Sequence, residues 1–293
     1  MTGKKDSLLT RERQGMLLMM LTAILWSTSG LFIKLVPWPA MCIACARSLA
    51  AVVPFIIYMR VRGLKLVWNK KTLGNGLLLM LLTFLFVNAT KLTTAANAII
   101  LQYTAPIFVV LLSMLFLGKR YKGRDFLTIF LAFVGIALCF ADQLSPGSML
   151  GNILGLLSGV AFGAIFTILG TADTEVRVSG MAIGLLMTAV VGAPFFAITP
   201  VVWEPSSVLI MVFLGLFQLG IPYIMMTVAI GRCSPLACCL ISAVEPLLNP
   251  IWVMLVIRET PGPLALIGGV VVIATVTVWS ITSNTNQANP VPH

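Results

Sequence analysis

Apolar residues run along the chain in ten long blocks, separated by short polar or turn-forming breaks, and the pattern predicts ten helices. The blocks cover 14–35, 40–60, 73–91, 94–117, 124–142, 149–172, 178–200, 206–229, 234–257 and 262–281. Each is close to the roughly 20 apolar residues that one membrane crossing requires. Backbone groups surrounded by lipid must be satisfied internally, which makes these crossings helices. The breaks carry helix-stopping residues: Val36-Pro37-Trp38-Pro39, Lys70-Lys71, Gly118-Lys119-Arg120, Ser145-Pro146-Gly147 and Thr260-Pro261-Gly262-Pro263. The least distinct break is Lys91–Thr94, where two blocks nearly fuse. The first block is too long for the apolar core of a signal peptide and lacks a cleavage pattern, so it reads as a retained helix. Residues 1–13 form a tail before the first span, and 282–293 read as a disordered tail after the last.

Composition narrows the class further. The 293 residues are 59% hydrophobic and only 10% charged, with a mean hydropathy of +1.04. Soluble domains average about 45–50% apolar and about 25% charged. A water-facing surface cannot be built from so few charges, and disorder is excluded by the same hydrophobicity. The net charge of +10 does not point to nucleic acid, because the basic residues sort by loop. With the N-terminus inside, the inner segments hold Lys4, Lys5, Arg11, Arg13, Arg60, Arg62, Lys65, Lys70, Lys71, Lys119, Arg120, Lys122, Arg124, Arg177 and Arg232, which is 15 of the 19 Lys and Arg. The outer loops hold Lys91 and Arg258. By the positive-inside rule this predicts a multi-pass protein of the cytoplasmic (inner) membrane with both termini cytoplasmic.

The two halves look alike. Tyr103-Thr104-Ala105-Pro106 in the fourth block matches Ala243-Val244-Glu245-Pro246 in the ninth, 140 residues later, and at that spacing Ala89 falls on Ala229 and Leu115 on Leu255. Gly15-Met16-Leu17-Leu18 and Gly151-Asn152-Ile153-Leu154 open the first and sixth blocks. Residues 14–142 and 149–281 are therefore two five-span repeats. An odd number of spans per half means that the halves cross in opposite directions. The expected fold is all-α, ten transmembrane helices as a 5+5 inverted repeat, an arrangement that places a solute site near the midplane between halves.

Several motifs recur in order. They are Leu25-Trp26-Ser27-Thr28-Ser29 with Phe32-Ile33-Lys34, then Ala46-Arg47, then Thr94-Ala95-Ala96-Asn97-Ala98 with Thr104-Ala105-Pro106. In the second half they are Gly220-Ile221-Pro222-Tyr223, Glu245-Pro246-Leu247, and Glu259 with Gly268. Over about 15–280 the chain resembles the EamA family of the drug/metabolite transporter superfamily. The resemblance implies secondary transport of a small organic metabolite or drug by alternating access, from a class spanning amino acids, amines, nucleosides and toxic compounds. One departure stands out: the first half ends its fourth span with Gly118-Lys119, where the family usually has Gly-Glu.

Among nine acidic residues only Glu245 lies in the middle of a span. Its helical face includes Ser242, Asn249 and Trp252. A carboxyl at this depth is expensive to insert and worth a function. It could bind a cationic group or carry a coupling proton. It could equally hydrogen-bond a neighbouring helix or cap amides around Pro246 and Pro250. Arg47 is the other embedded charge, with a structural partner or a gate contact as its expected role; Lys34 is placed to snorkel from a span end. Pro106, Pro222, Pro246 and Pro250 lie inside spans, are candidate hinges, and should loosen the carbonyls of Gln102, Gln218, Ser242 and Pro246.

The candidate substrate-binding set is Trp26, Asn88, Gln102, Tyr103, Gln218, Tyr223, Glu245, Asn249 and Trp252, with Phe166 at similar depth. Apolar and aromatic walls with a few polar groups suit a small organic solute, and aromatic faces would favour an amine or amino-acid-like one. Gly155, Gly159 and Gly163 suit close helix contacts. Expected partners are a small-molecule solute, the lipid bilayer and, as a coupling ion, protons. Either a monomer or a dimer is compatible with the pathway. The six cysteines (Cys42, Cys45, Cys139, Cys233, Cys238, Cys239) show no paired extracellular spacing, and with His293 as the sole histidine no metal site or cofactor is expected. The competing class, an intramembrane enzyme acting on a lipid-linked substrate, needs several acids or histidines, and one mid-span Glu is too few.

Overall fold

The computed structural model describes residues 2–120, 123–141, 146–242, 244–258 and 262–287, and among these the regular structure is entirely helical. Ten helical spans follow in order. α1 is Thr2–Trp26 and Ser29–Leu35, α2 is Ala40–Arg62, α3 is Lys70–Leu92, and α4 is Ala95–Gln102 and Ala105–Leu117. α5 is Gly123–Ala141, α6 is Pro146–Leu169, and α7 is Thr174–Gly192 with the short turn Phe195–Ile198. α8 is Pro205–Phe213, a π-helical Leu214–Gly220, and Ile221–Ile230. α9 is Pro235–Ile241 and Val244–Ile257, and α10 is Pro263–Gln287. Eight of these are long and apolar enough to cross a membrane; α5 and α10 complete the ten. Lys122, Asp142, Ser145, Glu259, Thr260, Pro261 and His293 lie outside the described residues, as do the side chains of Cys139, Leu247 and Pro250. α10 continues to Gln287 instead of giving way to a tail at 282, because extending an existing helix adds one hydrogen bond per residue.

Local chemistry sets the boundaries. α2 stops at Gly63, whose φ of 62° needs a residue without a Cβ. α3 opens on a reciprocal box in which Thr72 N–H donates to Asn69 Oδ1 and Asn69 N–H to Thr72 Oγ1, each at 2.9 Å. The nearly fused third and fourth blocks separate at Thr93–Thr94, where the Thr94 hydroxyl accepts the Asn97 N–H at 3.1 Å and starts α4.

The halves pack as an inverted pair. α3 lies on α6 and α8 lies on α1; α4 lies on α6 and α9 lies on α1; α3 meets α7 and α8 meets α2. The self-paired contacts α2 with α7 and α5 with α10 complete the pseudo-two-fold arrangement. The Gly155, Gly159 and Gly163 stripe of α6 receives α4: a Cβ at Gly163 would lie 2.7 Å from the Ala105 carbonyl, and one at Gly159 would lie 2.9 Å from that of Gln102. Backbone approach this close requires glycine.

Each end of the bundle is tied across loops. At the end bearing residues 36–39, Lys91 Nζ donates to the Val36 carbonyl at 2.6 Å, Lys34 Nζ to that of Thr93 at 2.9 Å, and Trp38 Nε1 to that of Val202 at 2.8 Å. Trp38 also meets the Trp203 ring edge-on at 5.0 Å. At the opposite end Arg232 Nη1 donates to Gln14 Oε1 at 2.9 Å, and Arg177 Nη1 to the Ala172 carbonyl at 2.8 Å.

Candidate functional site

Four spans lose regular α-helical geometry at similar depth, each for its own reason. In α1 the Ser27 and Thr28 hydroxyls donate to the carbonyls of Ile24 and Leu25 at 2.7 and 2.8 Å, competing with the backbone ladder and opening the helix between Trp26 and Ser29. In α4 the break falls at Tyr103-Thr104, and Pro106 occupies the first turn of the next piece. Proline suits that position because its missing N–H would be unpaired there anyway. In α8 the π-helical stretch ends at Gly220, and Pro222 lies in the first turn of the α-helix that follows; such π segments re-aim side chains. In α9 the break precedes Val244. The freed Ser242 carbonyl is not left open as expected from Pro246, because it accepts the Glu245 N–H at 2.9 Å. Pro250 lies within the second piece of α9.

These interruptions surround a cavity. The first repeat supplies Trp26, Arg47, Leu82, Thr83, Phe86 and Gln102; the second supplies Phe162, Gln218, Leu219, Tyr223 and Glu245. Both repeats therefore build one site. Trp26 meets Phe162 edge-on at 5.6 Å and Tyr223 at 5.4 Å, so three aromatic rings from three spans form one corner. Trp26 and Phe162 stand 136 residues apart, the spacing that also relates Gly15 to Gly151.

Two opposite charges face the cavity. Glu245, 4% exposed, accepts from Tyr103 Oη at 2.7 Å. Arg47, 2% exposed, donates through Nη1 to Gln218 Oε1 at 3.3 Å. Each charge thus has a neutral side chain of the opposite repeat as its hydrogen-bond partner. In a water-poor interior both charges act strongly on whatever lies between them.

The structure brings together most of the residues singled out from the sequence. Trp26, Gln102, Gln218, Tyr223 and Glu245 line the cavity, and Tyr103 supports Glu245 from behind. Asn88 is elsewhere: its Nδ2 donates to the Phe84 carbonyl at 2.8 Å on its own helix. Asn249 and Trp252 do share a face with Glu245, but they grip the opened turn of α1. Asn249 Nδ2 donates to the Ser27 carbonyl at 2.5 Å and Trp252 Nε1 to Ser27 Oγ at 3.0 Å. Phe166 packs behind Phe162, centroids 4.8 Å apart, without reaching the cavity. The lining residues not anticipated are Leu82, Thr83, Phe86, Phe162 and Leu219. The repeat spacing could have found two of them, since Phe162 follows from Trp26, and Thr83 precedes Tyr223 by 140.

Comparison with known proteins agrees with this architecture. An uncharacterized transporter of Archaeoglobus fulgidus is 25% identical over 274 residues, covering 91% of this chain and 96% of its own. An uncharacterized transporter of Clostridium kluyveri is 22% identical over 280 residues, covering 85% and 87%. A solved crystal structure superposes with a TM-score of 0.71 at 20% identity over 92% of this chain and 98% of its own, a likeness of fold. The EamA-like transporter family matches the sequence twice, over residues 13–141 and 149–281, one match per repeat. The chain is a membrane transporter that belongs to the EamA-like transporter family.

Proposed function

We propose that the protein is a secondary transporter that moves a small organic solute across the cytoplasmic membrane by alternating access, with the cavity between the repeats as its solute site. The observation that carries this reading is the Tyr103–Glu245 hydrogen bond, 2.7 Å long and buried, which joins the two repeats beside a cavity that both repeats line. A solute held there touches both halves at once. Rocking of one half against the other then exposes it to either side in turn, with the interrupted turns near Pro106, Pro222 and Pro246 as bending points. The charge bias of the loops supports cytoplasmic termini.

Glu245 is the anchoring group for an ammonium, helped by the aromatic corner of Trp26, Phe162 and Tyr223. This favours an amine or amino-acid-like solute. The same carboxyl is the coupling group where transport is driven by protons. The test is solute flux in proteoliposomes containing the purified protein alone, with and without a pH gradient. Flux that collapses with a protonophore supports coupling, and absence of flux over a broad metabolite panel overturns the reading.

A further inference from the structure

The connection between α8 and α9 holds two nucleophilic side chains that do not line the cavity. Cys233 lies in the bend after α8, and Cys238 lies in the first turn of α9. Between them the Ser234 hydroxyl accepts the Ala237 N–H at 3.2 Å and Pro235 opens the helix, so the chain reverses tightly. The two Sγ atoms are left 3.0 Å apart. Cys233 donates its one proton to the Ala229 carbonyl at 3.2 Å, so Cys238 is the donor within the pair. A sulfur that accepts a hydrogen bond is a better thiolate. This contact with Cys238 holds the Cys233 thiol below its ordinary range, against burial and the charge of Glu12. Cys233 is 8% exposed and Cys238 fully buried, so a small oxidant meets Cys233 first. α1 covers the pair: a Cβ at Gly15 would lie 2.9 Å from Cys233 Sγ. Among the described residues no set of three His, Cys, Asp or Glu is placed to hold a metal there.

We propose that Cys233 and Cys238 are an oxidation site for hydroperoxides, closing into a reversible disulfide that fastens the end of α8 to the start of α9. The Cys233 sulfur attacks one oxygen of the peroxide. The O–O bond breaks, an S–O bond forms, and the other oxygen leaves with the thiol proton as an alcohol, or as water from hydrogen peroxide. The Cys238 sulfur then attacks the Cys233 sulfenic sulfur. The S–S bond forms, and the hydroxyl leaves with the Cys238 proton as water. Two thiols lose two electrons and one peroxide gains them. Closure brings the sulfurs from 3.0 Å to about 2.05 Å, a short movement within one turn. The charge bias of the loops supports a cytoplasmic position for this end, where thiols are kept reduced and disulfides are transient. The joined pieces lie on the loop side of the interruptions in α8 and α9, so the bond limits how this hairpin flexes. The pair stands apart from the cavity, and its chemistry does not depend on which solute is carried.

The test treats the full-length purified protein with hydrogen peroxide, then alkylates it under denaturing conditions and maps the peptides by mass. A Cys233–Cys238 bridge is expected, reversed by dithiothreitol, with the other four cysteines still alkylated. Hydrogen exchange of the amides in Pro235–Ile241 is expected to slow several-fold on oxidation. Cys238→Ser removes the resolving thiol, so dimedone should capture a Cys233 sulfenic acid in this variant and little of it in the parent. A bridge to Cys239 or to any other cysteine overturns the site. So does an absence of thiol loss under conditions that oxidise N-acetylcysteine, or equal dimedone capture on Cys233 in parent and variant. Unchanged exchange in Pro235–Ile241 despite a mapped bridge overturns the fastening. The parent protein's peptide map decides the case even where Cys238→Ser fails to fold.

Discussion

Tyr103 Oη and Glu245 Oε2 lie 2.7 Å apart, one from the interrupted turn of α4 and the other from just past the interrupted turn of α9. The bond ties the two pseudo-equivalent helix breaks together at the cavity wall. Glu245→Gln preserves an acceptor for Tyr103 and removes the charge. It is expected to leave folding intact and to eliminate flux, read as unchanged thermal unfolding in detergent with no solute movement in proteoliposomes. Wild-type flux by the Gln variant at every pH tested would sink the assignment.

Tyr103→Phe makes the complementary change, keeping the charge and deleting its donor. A buried acceptor left unsatisfied costs about 1–3 kcal/mol, so the Phe variant should unfold at lower temperature while Glu245→Gln does not. Equal melting temperatures for Tyr103→Phe and the parent protein would show that the bond contributes nothing to the fold.

The glycine stripe of α6 gives a packing prediction. A Cβ at Gly163 would sit 2.7 Å from the Ala105 carbonyl and 2.7 Å from Phe108 Cβ. Gly163→Ala should therefore destabilise by about 1–3 kcal/mol through overpacking. Gly74, on α3, has open space where a Cβ would go. Gly74→Ala should stabilise by about 0.4–1 kcal/mol by restricting the unfolded chain. Thermal unfolding of the pair checks the contrast, and a stable Gly163→Ala protein would contradict the α4–α6 contact.

Gly30 and Asn249 should be energetically coupled. A Cβ at Gly30 would come within 2.7 Å of Asn249 Nδ2, the atom that donates to the Ser27 carbonyl. Gly30→Ala is expected to displace that amide and loosen the opened turn that carries Trp26. In a double-mutant cycle, adding Gly30→Ala to Asn249→Ala should cost much less than adding it to the parent. Strict additivity would mean that the two positions do not share this contact.

Orientation can be read by cysteine labelling, since the native cysteines among the described side chains are buried free thiols. Trp203, in the loop between α7 and α8, is 66% exposed, and Lys119, just after α4, is exposed. In intact cells a membrane-impermeant maleimide should label Trp203→Cys, and it should label Lys119→Cys only after permeabilisation. The reverse pattern would invert the topology.

The block pattern made the ten spans legible, and the recurring proline motif made the repeat legible. Periodicity could not show that α1 opens at Ser27-Thr28, because no proline or glycine-rich signal marks it; side-chain hydroxyls competing for carbonyls do that work. Nor could it show the π-helical stretch of α8, which turns Gln218 toward Arg47. Within the site, Glu245, Trp26 and Tyr223 stood out because charge or aromatic bulk is conspicuous among apolar residues. Thr83 did not, since one threonine in a span looks like a hydroxyl bonded to its own helix. Asn249 and Trp252 were read onto the correct face, but one face of α9 serves two neighbours, the cavity and α1.

Both repeats contribute walls to the cavity, but its charges do not follow the repeat. At the 140-residue spacing Arg47 falls on Met187 and Glu245 on Ala105, so each charge occurs once and in a different repeat. Duplication has thus left a cavity whose charge pattern has no two-fold symmetry. Turning it end for end exchanges an acid for a base, so a path built from two like halves has acquired a fixed electrical polarity.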